Sequence, residues 1–132
     1  MNYEYLIKEH NLKITPQRVS ILTNMYNYGH ISVDDLYKEV KKQFTNISLA
    51  TLYKNINLMI QNALIKEVKI PLLKSKYEIV KDTHAHILCT KCNEFEDVPF
   101  KCESLISDVE QDTSYKINDS DFIFSGLCQK CQ

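Results

Sequence analysis

Two cysteine pairs restrict this chain more than anything else in it: CTKC at 89–92 and CQKC at 128–131. Two residues between cysteines let both sulfurs turn toward one ion, and two such pairs supply the four thiolates of a closed tetrahedral zinc site. Cys89, Cys92, Cys128 and Cys131 are therefore expected to hold a structural Zn2+. The 35 residues between the pairs exceed the gap usual in a zinc ribbon. The second pair would tie residues 128–131 back to the strand that carries the first. The alternative is two separate thiol–disulfide centres, which would need an exposed, acidified thiolate at a helix N-terminus. Neither pair precedes a convincing helix pattern. The fifth cysteine, Cys102, reads as an ordinary residue at a helix start.

The stretch between and before these pairs carries a second ligand set of different hardness. THAHILC (83–89) has strand character, and residues two apart on a strand share a face. His84 and His86 thus point together while Cys89, of opposite parity, points away, so the stretch is expected to serve two sites. Glu78, on the same strand or its lead-in, Asp97 on the next strand and His30 between two N-terminal helices are further candidates. Imidazoles and carboxylates suit Fe2+ or Mn2+ better than four thiolates do. Spacing alone does not bring His30 to the others.

Charge divides the chain. Residues 1–81 carry 12 Lys and Arg against 7 Asp and Glu, whereas residues 82–132 carry 4 against 10, within a net charge of −1. All five cysteines lie in the second part. A basic first half and an acidic, cysteine-bearing second half suggest two modules with different partners. No window approaches the ~18 apolar residues of a membrane span, and MNYEYLIKEH lacks the basic start and apolar run of a signal peptide. No membrane association and a cytoplasmic location are expected, where cysteines serve metal or redox chemistry more often than disulfides.

Hydrophobic spacing supports the division. A short helix is expected over Tyr3–Glu9. Thr15-Pro16 reads as an N-cap followed by proline at the first helical position; Val19, Leu22 and Tyr26 continue at helical spacing and Gly29 ends the segment. Ser32 caps the next helix, with Asp34 and Asp35 in its first turn and Val33, Leu36, Tyr37 and Val40 as its apolar stripe. Ser48 starts another, with Leu49, Leu52, Ile56 and Met59 turned inward. LIKEVKI (64–70) and KYEIV (76–80), separated by Pro71 and Lys74-Ser75, read as a hairpin. Helices followed by a hairpin describe a winged helix-turn-helix. Beyond it come strands at 84–89 and 95–100, a helix over 102–112 and a strand at 121–127. The expected fold is α+β: an N-terminal winged helix-turn-helix domain (1–80) and a small C-terminal α/β domain (81–132).

The outward face of the Ser48 helix carries Ser48, Thr51, Tyr53, Lys54, Asn55 and Asn57. Hydroxyl, amide, aromatic and cationic groups are what a helix needs to meet phosphates and base edges in a major groove. Arg18, Lys13 and Lys54 could neutralise phosphates. For a lone amphipathic helix a solvated polar face is the commoner explanation; the neighbouring helix, the hairpin and the basic half favour DNA.

At TPQR (15–18), GHISVDDLYKEV (29–40), SLATLYKNINLMIQNALIKE (48–67), YEIVKDTHAHILCTKC (77–92) and CQKC (128–131) the chain resembles the ferric uptake regulator (Fur) family, over nearly its whole length. The resemblance implies a dimeric, metal-dependent transcription factor that binds an operator of inverted half-sites in double-stranded DNA, and not an enzyme. It implies structural zinc at the four cysteines, a regulatory Fe2+ or Mn2+ at His30, Glu78, His84, His86 and Asp97, and a homodimer formed through the C-terminal domain. Tyr53 matches the family's base-contacting tyrosine, and Arg18 and Lys54 fall on positions that face DNA. HAHILC and Asp97 resemble the peroxide-sensing branch, in which a repressor is inactivated when iron-driven oxidation adds oxygen to a liganding histidine, His30 or His84. Glu78 stands where the best-known peroxide sensors have aspartate. Iron- and zinc-uptake regulation stay open as alternatives within the family. YKINDSDFIFSGLC lacks the histidine of a further family metal site.

Overall fold

The computed structural model describes all residues, 1–132, and divides them into two compact units, Met1–Val80 and Lys81–Gln132. The first contains α1 (Tyr3–Glu9), α2 (Pro16–Tyr28), β1 (Ile31–Ser32), α3 (Val33–Gln43), α4 (Leu49–Gln61), β2 (Ile65–Val68) and β3 (Lys76–Ile79). The second contains β4 (Ala85–Cys89), β5 (Phe95–Val98), α5 (Glu103–Thr113), β6 (Ile123–Gly126) and a 3-10 turn at Gln129–Cys131. No helix is long and apolar enough to cross a membrane.

Side-chain caps set the helix starts of the first unit. The Thr15 hydroxyl accepts from Arg18 N at 3.2 Å, with Pro16 at the first helical position. Ser32 accepts from Asp35 N at 3.2 Å and Ser48 from Thr51 N at 3.1 Å. Each cap satisfies one donor that the first helical turn leaves without an intrahelical acceptor. Gly29 ends α2 at φ 78°, in the half of backbone space that a side chain disfavours. The chain then forms β1, a two-residue strand absent from the sequence expectation, which pairs with β3 and makes the hairpin a three-stranded sheet of order β1-β3-β2.

The helices bury one continuous core: Ile7 from α1, Ile21, Leu22 and Met25 from α2, Leu36 and Val40 from α3, Leu52, Ile56 and Met59 from α4, closed by Leu64 and Ile65. Two expected core positions lie elsewhere. Tyr26 is 54% exposed and Leu49 43% exposed. On α2 the inward face is set by Ile21 and Met25, one position ahead of Tyr26. On α4 it begins one turn later, at Leu52. In both cases a few apolar residues at helical spacing fit two neighbouring rotations of the helix, and packing selects one.

In the second unit β4 is central, antiparallel to β5 and parallel to β6. Parallel neighbours need a long crossover, and α5 supplies it. This unit buries little: Ala85, Leu88, Cys89, Phe95 and Cys102 are its buried apolar side chains, and α5 buries none. Cys102 is the N-cap residue of α5, and its thiol donates to Phe100 O at 3.4 Å, apart from the other four cysteines.

Ile56 and Leu49 give a direct check of the first unit's core. Ile56→Ala should destabilise the chain by roughly 2–5 kcal/mol, the transfer and cavity cost of a fully buried isoleucine. Leu49→Ala should stay within about 0.5 kcal/mol, as an exposed position does. Urea denaturation followed by circular dichroism measures both.

Candidate functional site

The four paired cysteines converge. Their sulfurs all lie within 4.8 Å of one another. The first pair sits on a tight turn between β4 and β5: Cys89 N donates to Glu94 O and Asn93 N donates to Cys89 O, each at 2.9 Å, with Asn93 in the left-handed region at φ 64° that asparagine tolerates. The second pair sits on the 3-10 turn, where Cys131 N donates to Cys128 O at 3.0 Å. Strand β6 brings the two turns together, since it runs beside β4 with Gly126 opposite Cys89. Thr90 N donates to Gly126 O at 2.8 Å and Cys128 N to Cys89 Sγ at 3.4 Å.

The geometry suits a tetrahedral ion. Metal–sulfur bonds of about 2.3 Å at tetrahedral angles place sulfurs about 3.8 Å apart, and Cys92 Sγ and Cys128 Sγ are 3.8 Å apart. The protons are also unevenly held. The Cys128 backbone N–H, helped by those of Cys92 and Lys91, brings the Cys89 thiol down to about 6. The neighbouring Cys128 side chain, with burial and the other sulfurs, pushes Cys131 up to about 12. Four sulfurs so close cannot all be thiolates without a cation among them; a divalent ion supplies that compensation and releases the remaining protons.

A second convergence lies at the other end of the β4–β5 pair. His86 on β4 faces Asp97 on β5 in register. His86 Nε2 is 3.1 Å from Asp97 Oδ1, His84 Nε2 is 3.7 Å from the same oxygen, and the two Nε2 atoms are 3.1 Å apart. Donors bound at right angles with bonds of about 2.1 Å stand about 3.0 Å apart, so this spacing suits one cation shared by the three. The His84 tautomer is set locally. Its Nδ1 lies 2.9 Å from the Asp82 carbonyl, which can only accept, so Nδ1 carries the proton and the neutral ring keeps its lone pair on Nε2. The His86 ring stacks on Phe95, with centroids 4.8 Å apart and planes at 16°. His84 precedes β4 instead of lying on it, yet the two imidazoles converge as the alternation argument expected. A cleft of about 510 Å3 opens beside them, lined by Lys81, His84, Asp97, Phe100 and Lys101 among others.

Two other candidate ligands belong to the first unit. His30 lies between α2 and β1. Glu78 was expected on the strand of the histidines or its lead-in; it lies on β3, a different strand in a different sheet, where it is buried. This is the hairpin strand expected at 76–80, and the chain leaves its sheet at Ile79 before entering the next at Ala85. Three partners of the cluster carried no signal in the sequence: the Asp82 carbonyl at His84, the Phe95 ring at His86, and Lys81, whose Nζ reaches Asp97 Oδ2. A backbone oxygen has no residue identity, and the other two become neighbours only when β5 folds onto β4.

The polar face of α4 is narrower than expected. Ala50, Tyr53, Lys54, Asn57 and Gln61 line one shallow groove along the helix, and Tyr53, Lys54 and Asn57 are exposed. Asn55 is the correction. It was expected on the outward face, but it is buried. Its Oδ1 accepts from Arg18 Nε at 3.1 Å and its Nδ2 donates to Thr51 O at 3.1 Å. At about 100° per residue Asn55 falls beside Ile56, on the side that packs against α2. Arg18 is occupied as well: its Nη1 donates to Lys13 O at 2.6 Å, bracing the segment that leads into α2. The Ser48 hydroxyl caps the helix and donates to Thr51 Oγ1 at 2.9 Å.

These features place the chain among known proteins. A family model described as the ferric uptake regulator family matches residues 9–125. The peroxide operon regulator of Bacillus subtilis (strain 168) is 32% identical over 130 residues, covering 95% of this chain and 88% of that protein. Among solved structures, the Campylobacter jejuni peroxide stress regulator superposes with a TM-score of 0.80 at 34% identity, covering 99% of this chain and all of that one. The Helicobacter pylori ferric uptake regulator superposes with a TM-score of 0.78 at 22% identity, covering 99% of this chain and 94% of that one, a likeness of fold. With the family model spanning most of the chain and an N-terminal winged helix followed by a small α/β unit, the protein belongs to the ferric uptake regulator family of DNA-binding, metal-responsive transcription regulators.

Proposed function

We propose that this protein is a peroxide-responsive repressor that binds operator DNA as a homodimer in the cytoplasm while Fe2+ or Mn2+ occupies its sensing site. The observation that carries the reading is the convergence of His84, His86 and Asp97 on one point, with aspartate at position 97. In the family pattern to which this chain is similar, iron-uptake regulators usually carry glutamate there. The relatives described as peroxide regulators support the same branch. Iron-uptake regulation is the second reading, favoured by Glu78 where aspartate would strengthen the first.

In this reading Cys89, Cys92, Cys128 and Cys131 hold a structural Zn2+, and His84, His86 and Asp97 hold the regulatory ion together with His30 and Glu78. The structural chemistry separates the two ions. Thiolates favour zinc, while imidazole and carboxylate accept the harder iron(II) or manganese(II). The dimerisation role falls to residues 81–132 and the DNA-reading role to residues 1–80, with Tyr53 reading a base edge, Lys54 meeting a phosphate, and Ser48 and Thr51 at the start of the same helix. Arg18 and Asn55, which bond each other between α2 and α4, would act by holding Lys13 and α4 in place.

A dimer must present two recognition helices at the spacing of its half-sites. Ligands drawn from both units would favour one arrangement of the two, and a ligand ~100-fold above its dissociation constant can bias such an equilibrium by about 2.7 kcal/mol. A bound iron(II) would supply the redox chemistry that activates hydrogen peroxide beside these rings, with both electrons of the net reaction coming from the ring itself. The net change at His30 or His84 is transfer of one oxygen atom from the peroxide to a ring carbon, with water leaving. An oxidised ring is a weaker donor, so the ligand set is broken and repression ends.

Three outcomes follow from these assignments. Cys89→Ser and Cys128→Ser should lose zinc and stable dimerisation, because structural zinc contributes on the order of 10 kcal/mol of folding free energy, while Cys102→Ser keeps both; metal analysis and sedimentation measure this. In operator-binding assays, Tyr53→Ala should lower discrimination between sequences by roughly 1–3 kcal/mol, and Lys54→Ala should weaken all sequences and reduce the salt slope by about one contact. Iron-loaded protein should release its operator after brief dilute peroxide, with one added oxygen on His30 or His84 by mass spectrometry, while manganese-loaded protein keeps it. Operator binding that survives peroxide with both histidines unmodified would turn the assignment to iron-uptake regulation.

A further inference from the structure

Asp97 has two oxygens, and they have different employers. Oδ1 faces the two imidazole nitrogens, at 3.1 Å from His86 and 3.7 Å from His84. Oδ2 is held by the Lys81 ammonium at 2.5 Å. Lys81 is the first residue of the second unit, and both partners lie within that unit. The lysine therefore ends in contact with the carboxylate that the sensing site needs, on the oxygen that the imidazoles do not share.

We propose that Lys81 is a tethered competitor at the sensing site, a specificity-determining residue that limits Asp97 to one-oxygen coordination and lowers the site's affinity for divalent cations. This rests on the reading of His84, His86 and Asp97 as metal ligands. Three effects act in the same direction. A carboxylate already shared with an ammonium is a weaker donor to a second cation. A two-oxygen grip on the ion would put the Lys81 ammonium and the dication on the same oxygen, which favours Lys81 letting go of Oδ2. The ammonium also repels a dication across a few ångströms of a partly solvated site.

One effect opposes them: Lys81 could help aim Asp97. The β4–β5 ladder already does this, since Asp97 is fixed opposite His86 by strand register and the His86 ring is held against Phe95. The ion pair itself is open to solvent, with side-chain exposures of 48% and 36%, and exposed pairs contribute little to folding. Removing Lys81 should thus leave the fold intact and change the ion equilibrium. The expected consequence is a site set to respond at a higher metal concentration than its bare ligands would give, and one that disfavours larger cations, which profit most from two-oxygen carboxylate binding.

The test is a Mn2+ titration of the zinc-containing dimer, reading free Mn2+ by electron paramagnetic resonance, for wild type, Lys81→Met, Lys81→Arg and His86→Ala. Lys81→Met should bind Mn2+ about tenfold more tightly, with the melting temperature of the protein without Mn2+ and its zinc content unchanged. Lys81→Arg, which keeps the charge, should bind no more tightly than wild type. In an Asp97→Asn background the Lys81→Met change should shift affinity several-fold less than in wild type, because the competition for the carboxylate is gone and only direct charge repulsion remains. Unchanged or weaker binding in Lys81→Met, or tightening as large in the Asp97→Asn background as in wild type, overturns the competitor role while leaving the ligand set standing. Wild-type Mn2+ binding that His86→Ala leaves intact overturns the ligand set itself, and the competitor role with it.

Discussion

The second unit depends on the convergence of four sulfurs, because little else holds it. Its three strands and one helix bury five apolar side chains, and α5 contributes none of them. A domain of this size cannot supply much stability from so small a core. The cysteine turns compensate by closing the two ends of the sheet onto each other: the first turn sits where β4 passes into β5, the second just after β6. A shared ion at that point would fix β6 beside β4 and with it the connection through α5. The imidazole–carboxylate cluster is built on the same β4–β5 pair, so its geometry inherits whatever order the sulfurs impose.

The first unit is organised on different terms. It has a continuous apolar core from four helices and the hairpin, and no cysteine. Its polar network is placed where the core ends. Asn55 and Arg18 bond each other between α2 and α4, and Arg18 also holds the Lys13 carbonyl. A buried amide with both ends satisfied is rigidifying where a half-satisfied one would be costly. The result is an α4 whose outward groups, Tyr53, Lys54 and Asn57, stand on a fixed frame, as a helix entering a groove requires.

Chemical hardness explains why one short stretch, THAHILCTKC, contributes to two unlike sites. Strand alternation separates His84 and His86 from Cys89, and the β4–β5 turn then collects Cys89 and Cys92 at one end of the strand while the imidazoles lie at the other. Thiolates and imidazoles several residues apart on one strand can in this way keep different ions, one structural and one exchangeable, with the short length of β4 between them. The lysine on Asp97 adds a third kind of group, a cation of the chain's own, to the imidazole–carboxylate cluster.

How much of this was legible in the sequence follows from the range of the interactions involved. The CxxC pairs, the Thr15, Ser32 and Ser48 caps, the turn at Gly29 and the shared face of His84 and His86 were all readable, because each depends on a few neighbouring residues and on fixed backbone periods. Where periodicity fits two adjacent rotations of a helix, as for Tyr26 and Leu49, only packing chose between them. The residue type of Asn55 suits an outward DNA face, but the tertiary structure turns it inward to meet Arg18, 37 positions away. Glu78 lies on the hairpin strand that its pattern predicts, and its separation from the strand of the histidines follows from where one sheet ends, which chain proximity does not reveal. The pairing of Lys81 with Asp97, the stacking of Phe95 on His86 and the meeting of the two cysteine turns are decided by strand register, and register is fixed only when the strands come together.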